Sequence, residues 1–183
     1  MDKYSCFAEL AIHEVRGKDY DLDIRRRPES QVAVLAPHGG EIEPETSSIA
    51  ERISLAGFSL YCFEGLKSKG NRALHITSHN FDEPECLALV AKHEWVVAIH
   101  GCAGAGEMIF MGGLDKPLIT DFANALSAVG IPTKTAGHSF AGEHRRNICN
   151  RGARDAGVQF ELSLPFRRSN EVPLFIEVVQ RVL

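Results

Sequence analysis

Two apolar runs in the 183-residue chain end in the same dipeptide: VAVLAP is followed by His38-Gly39, and VVAI by His100-Gly101. Neutral imidazole is the commonest protein ligand for metals. Sites in open α/β sheets form beyond the carboxyl ends of strands, where loops meet. If both runs are parallel strands, both histidines arrive at one edge of the sheet. Carboxylates follow the first of them at Glu41 and Glu43, on a loop loosened by Gly39 and Gly40. A catalytic zinc takes three protein ligands and keeps a fourth position open. His38, His100 and one of the two glutamates would make such a His2Glu set. The competing reading is that each histidine caps its strand by bonding backbone groups. HExxH is absent, so the site is not carried on a helix in the manner of the zincins.

Two further groupings bear chemistry. The stretch HRRNICNRGAR (His144–Arg154) holds four arginines and no acid, and within it Asn150-Arg151 pairs an amide with a guanidinium. Such a pair can grip a carboxylate through parallel hydrogen bonds, although ordinary surface arginines on a solvated face would read the same way. In VQFELSL, Val158, Phe160, Leu162 and Leu164 share one face of an alternating strand, leaving Glu161 on the other with Gln159 and Ser163. A carboxylate there is either a surface strand residue or a general base beside a metal-activated water. The remaining histidines rank lower. His75 and His79 flank a strand end, and His13 and His93 lie in helical surroundings. His138, on a glycine-flanked loop, can reach the site and donate to a transition state.

The elements that must position these residues alternate along the chain. Apolar runs or period-two patterns predict strands at Val32–Ala36, Phe58–Gly65, Arg72–Ser78, Glu94–Gly101, Met108–Gly113 and Gly157–Leu164, with a strand-like IPTKTA segment after Gly130. Helical periodicity marks residues 7–15, a helix capped near Thr46 and stopped at Gly57, one started by Asp82 with Pro84 in its first turn, Pro117–Val129, and a C-terminal helix opened by Asn170 and Glu171. The polar run at Arg25, Arg26 and Arg27 reads as a solvated edge. Strands separated by helices of about a dozen residues predict a single α/β domain over 1–183, a three-layer sandwich with a mixed, largely parallel sheet.

Composition narrows the function. With 44% hydrophobic residues, 24% charged residues and a formal charge of -4, the chain has the material for a core. It has no chain-wide basic field for nucleic acid. Five widely spaced cysteines without a CxxC pair exclude both a complete disulfide framework and a cysteine-rich zinc ribbon. The start MDKYSCFAELAIHEV lacks a basic-then-apolar leader, and no stretch approaches the ~18–20 apolar residues of a membrane span. A cytoplasmic protein is therefore expected.

LAPHGGEIEPETSSIA, YCFEG, LHITSHNFDEP, VAIHG, NICNRG and VQFELS, in that order from about Gln31 to Ser163, together resemble the phage and bacterial poly-γ-glutamate hydrolases. That family is similar to the zinc carboxypeptidases, so the resemblance implies a carboxypeptidase-like fold. It also implies zinc held by His38, Glu43 and His100, Asn150 and Arg151 on a substrate carboxylate, and Glu161 as the residue that activates water. The family commonly has a third glycine after PHGG, where this chain has Glu41, a carboxylate able to compete with Glu43. The expected activity is zinc-dependent cleavage of γ-glutamyl amide bonds in an anionic polymer or peptide. The alternatives are a non-catalytic polyanion-binding module, and a zinc carboxypeptidase or deacylase acting on another acidic peptide.

Overall fold

The structure is a computed structural model that describes residues 2–183. Its elements, in chain order, are α1 (Phe7–His13), β1 (Tyr20–Arg25), β2 (Val32–Gly40), α2 (Thr46–Ser54), β3 (Ser59–Gly65), α3 (Pro84–Val90) and β4 (Trp95–Cys102). They continue with β5 (Ile109–Gly113), α4 (Lys116–Ala128), β6 (Thr133–Lys134), β7 (Val158–Ser163), α5 (Leu164–Arg167) and α6 (Val172–Val182). Short 3-10 turns cover Asn71–Leu74 and Ile148–Arg151. The strands form one sheet in the order β1-β3-β2-β4-β7-β5-β6. Strands β3, β2, β4 and β7 run parallel, whereas β1 against β3 and β5 against β7 are antiparallel. The sheet is mixed and largely parallel, as the alternation of elements predicted.

Helices cover both faces, which is why the central strands read as continuous apolar runs. Along β2, Val32, Val34 and Ala36 pack with α2, α4 and α6 in one core. Ala33 and Leu35 point the other way, into a second core with Leu10 of α1, Leu89 and Val90 of α3, and Ile148. Gly57 and Gly130 end their helices with φ of 97° and 80°, a conformation glycine adopts without steric cost.

Four expectations require correction. Arg72–Ser78 is not a strand: after the 3-10 turn it runs extended with no ladder partner. Its alternation arises because Leu74 and Ile76 are buried in the second core. β1 lies in the segment read as merely polar; it is an edge strand whose charged residues face water, with Arg25 bridging Asp23 and Glu51 at 2.7 Å each. The cap of α3 is Glu83, whose carboxylate accepts from Cys86 N–H, while Asp82 accepts from Phe7 N–H. Thr46 does not cap α2 through its side chain; its hydroxyl donates to the carbonyl of Glu43 at 2.8 Å. All five cysteines are free.

Candidate metal centre

The parallel run of β2, β4 and β7 delivers His38, His100 and Glu161 to one edge of the sheet. His100 and Glu161 are register partners on adjacent strands. On β2 the pairing with β3 slips between Ala36 and Gly39, and His38 sits in that irregularity, where a bulge re-aims a side chain. The chain then folds back sharply. Gly40 has φ of 58°, and a Cβ there would lie 2.5 Å from the carbonyl oxygen of Gly65. The return brings Glu43 inside, 7% exposed, and leaves Glu41 in solvent. Of the two glutamates left open by the sequence, only Glu43 therefore faces the histidines.

Three groups converge there. His38 Nδ1 lies 3.1 Å from His100 Nδ1 and 3.4 Å from Glu43 Oε1, and His100 Nδ1 is 3.8 Å from Glu43 Oε2. The ring proton of His38 is fixed by its other nitrogen, because Nε2 lies 2.8 Å from the Ile76 carbonyl and must donate to it. In its neutral form His38 would present a bare Nδ1, with its back hydrogen bond in the arrangement typical of metal-ligating histidines. Zinc bonds of ~2.0–2.1 Å in a tetrahedron put neighbouring ligand atoms ~3.3–3.4 Å apart, inside the spread observed. The donor set, two imidazoles and a carboxylate, fits that ion. Glu43 is held for the task by Gly101 N–H, which donates to Oε2 at 2.8 Å and leaves Oε1 toward the rings.

His75 also belongs to the group, and the sequence reading missed it. Its Nε2 is 3.8 Å from Glu43 Oε1, and its ring packs on His38 with centroids 4.0 Å apart. One ligand atom from each of His38, Glu43 and His75 lies within 4.8 Å of the others. The signal for it is absent locally, since the partner that orients His75 is Asp2, distant in sequence.

The electrostatics reflect burial against charge. Burial raises the Glu43 carboxyl, but the neighbouring His38 and His100 outweigh it and hold the group well below its ordinary value. Burial pushes Glu161 up to about 8, and the charge of Glu43 adds to the shift. A cation held by the three donors would act oppositely and favour the Glu161 carboxylate. Burial and the adjacent His38 lower His75 to about 4 despite its bond to Asp2.

These residues open into a cleft of ≈ 290 Å³ that is also lined by Thr77, Ser78, His79, Phe140, His144, Asn147 and Gln159. Asn150 and Arg151 do not line it. Asn150 is 1% exposed and spends its amide on the backbone: Oδ1 accepts from Leu114 and Gly157 N–H, and Nδ2 donates to the carbonyls of Gly142 and His144. Arg151 lines a neighbouring cleft with Arg146, and His79 borders both clefts. The loop carrying His138 reaches the cleft through Ser139 and Phe140, but His138 itself packs against Phe110, with ring centroids 5.3 Å apart.

The family model for poly-gamma-glutamate hydrolases matches residues 4–174. The chain belongs to the poly-gamma-glutamate hydrolase family. It is 40% identical over 170 residues to UPF0714 protein YndL of Bacillus subtilis (strain 168), covering 92% of this chain and 66% of YndL. With the SPbeta prophage-derived UPF0714 protein YoqZ of the same strain it shares 38% identity over 172 residues, 91% of this chain and 61% of YoqZ. The chain thus spans under two thirds of the length of these two relatives.

Among solved structures, a bacteriophage poly-gamma-glutamate hydrolase superposes with a TM-score of 0.95 at 30% identity, covering 100% of this chain and 96% of that one. The zinc-free apo form of YndL gives a TM-score of 0.93 at 36% identity, covering 100% and 97%. The layered fold of this chain extends to a more distant protein. A Shewanella denitrificans OS-217 chain described as a carboxypeptidase A aligns at 14% identity with a TM-score of 0.54, over 89% of this chain and 59% of that one. No helix among the described residues is long and apolar enough to cross a membrane.

Proposed function

We propose that this family member is a zinc-dependent hydrolase of γ-glutamyl amide bonds, acting on poly-γ-glutamate or a γ-glutamyl peptide. The observation that carries the reading is the convergence of His38 Nδ1, His100 Nδ1 and the Glu43 carboxylate within 3.1–3.8 Å, beside a second, half-buried carboxylate, Glu161. Bound zinc supplies Lewis acidity toward a carbonyl and lowers the pKa of water.

The protein's own residues do the rest. Glu161 takes the proton of the attacking water and returns it to the leaving amine. Gln159 keeps Glu161 in place from the same strand face, with its Nε2 3.5 Å from Glu161 Oε1 and its own oxygen accepting from Asn147. Each γ-linked residue carries a free α-carboxylate, so the substrate needs local positive charge on a protein of net charge -4. Arg151 and Arg146 offer that charge in the cleft reached past His79, while Asn150 holds the loop from which they project.

The deciding experiment compares zinc-loaded and chelator-stripped protein on poly-γ-glutamate and on α-linked glutamate peptides, following chain length and released amine. Zinc-restored cleavage confined to γ-linked substrates is expected. Retained binding of the polymer without zinc-dependent turnover would favour the binding module, and cleavage of α-linked peptides would favour the carboxypeptidase.

A further inference from the structure

We propose that Asp2 is a positioning residue of the metal centre, acting through His75 to present a further side-chain donor beside His38, His100 and Glu43, in a centre that expands to five positions and so keeps one open for water. The inference rests on the metal reading above and extends it to a residue that precedes every element of the fold.

Asp2 lies against the extended segment that follows the 3-10 turn and crosses over the site. Its Oδ1 is 2.8 Å from His75 Nδ1, and its Oδ2 accepts from both the backbone N–H and the hydroxyl of Thr77, each at 2.6 Å. The side chains of His75 and Asp2 are only 14% and 20% exposed. The segment serves the other histidines as well. Ile76 gives its carbonyl to His38 Nε2, and Ser78 Oγ lies 3.5 Å from His100 Nε2. Asp2 therefore pins, from outside, the strip of backbone that orients the rings.

The chemistry of the pair sets its direction. A carboxylate only accepts, so the proton of neutral His75 resides on Nδ1 and its Nε2 is bare. That bare nitrogen faces Glu43 Oε1 at 3.8 Å, too far for a hydrogen bond. Two acceptors held this close in a half-buried cleft are reconciled by a cation between them. A carboxylate behind a ligating histidine fixes its tautomer and raises its basicity, and loss of such a partner typically weakens metal binding ~10–100-fold.

Asp2→Asn is the informative variant. It keeps the size of the side chain, but its amide NH2 placed against His75 Nδ1 would move the ring proton to Nε2 and remove the lone pair facing Glu43. Zinc affinity would be measured by competition with a chromophoric chelator for wild type, Asp2→Asn, His75→Ala and the double variant. Visible spectra of the Co2+-loaded proteins report coordination, and melting temperatures report folding. Asp2→Asn should weaken zinc binding ~10–100-fold, His75→Ala at least as much, and the double variant no more than His75→Ala alone, because the two residues act as one unit. Both single variants should change the Co2+ spectrum.

Unchanged affinity and spectrum in His75→Ala, with wild type binding zinc, would overturn this inference and leave the metal reading standing. Additive losses in the double variant would also overturn it, since Asp2 would then act through Thr77 instead. Wild-type protein that takes up no zinc would remove the metal reading and this inference together.

Discussion

Substituting Glu43 by glutamine replaces one carboxylate oxygen with an NH2 group and changes little else. Gly101 N–H donates to Oε2, so the amide oxygen of the variant remains there and the NH2 turns toward His38 Nδ1, 3.4 Å from the present Oε1. A hydrogen-bond donor then stands where a metal ligand is required. Structural zinc sites with four ligands bind with about 10–16 kcal/mol, so one ligand is worth about 2.5–4 kcal/mol, a loss of ~10²–10³-fold in affinity. Glu41, two residues earlier, is exposed. Removing its charge changes only a screened surface interaction of about 0.5 kcal/mol or less, at most about threefold. Chelator-competition titrations of Glu43→Gln and Glu41→Gln against wild type should therefore differ by well over tenfold, at matched melting temperatures. Equal losses, or a larger one for Glu41→Gln, would refute the assignment of Glu43 as the carboxylate ligand.

Glu161→Gln should retain full zinc stoichiometry while kcat falls ~10²–10⁴-fold, the usual contribution of a general base; single-turnover assays with parallel metal analysis check both. Arg151→Ala should raise KM for γ-glutamyl substrates and spare an amide without free carboxylates, which steady-state kinetics on the two substrates will separate. Away from the site, burial works to raise the Glu14 carboxyl, but Lys67, Tyr4 and Lys3 outweigh it and hold the group near about 2. Its folded value is depressed, so its stabilising contribution is complete above the ordinary 4.5 and is lost as pH falls toward about 2. Denaturant titrations should show Glu14→Gln losing less stability than wild type across that interval.

The legible parts of the fold were those where burial writes itself into the side chains. β2 and β4 are covered on both faces and read as apolar runs, and β7 alternates because Val158, Phe160 and Leu162 enter the core while Gln159 and Glu161 line the cleft. RALHITS misled because alternation reports which side is buried and says nothing of a ladder partner. β1 was hidden for the opposite reason: an edge strand keeps its charges, and its pairing with β3 depends on a neighbour remote in sequence. At the site, His38 and His100 announced themselves by ending strands. The choice between Glu41 and Glu43 depended on how the chain folds back at Gly40, and the place of His75 depended on Asp2, 73 positions away. Asn150 looked like a ligand-gripping amide because a short motif names residue types, whereas its four backbone partners appear only once the loop is folded.

Behind the metal-facing loop lies Arg167, 8% exposed. Its guanidinium donates to the carbonyls of Leu162, Pro44 and Cys102, joining the residue after Glu43 to the ends of β7 and β4. A Cβ at Gly101 would fall 2.6 Å from its Cζ. An ordinary arginine tip would swing aside, but this one is anchored on three sides. Position 101 is glycine on account of residue 167, and the two should change together across related sequences. A relative with a smaller residue at 167 is free to carry a side chain at 101, and one that keeps the arginine is not. The N–H that orients Glu43 comes from that same glycine, so drift at a residue outside the cleft would be felt first as a loosened ligand.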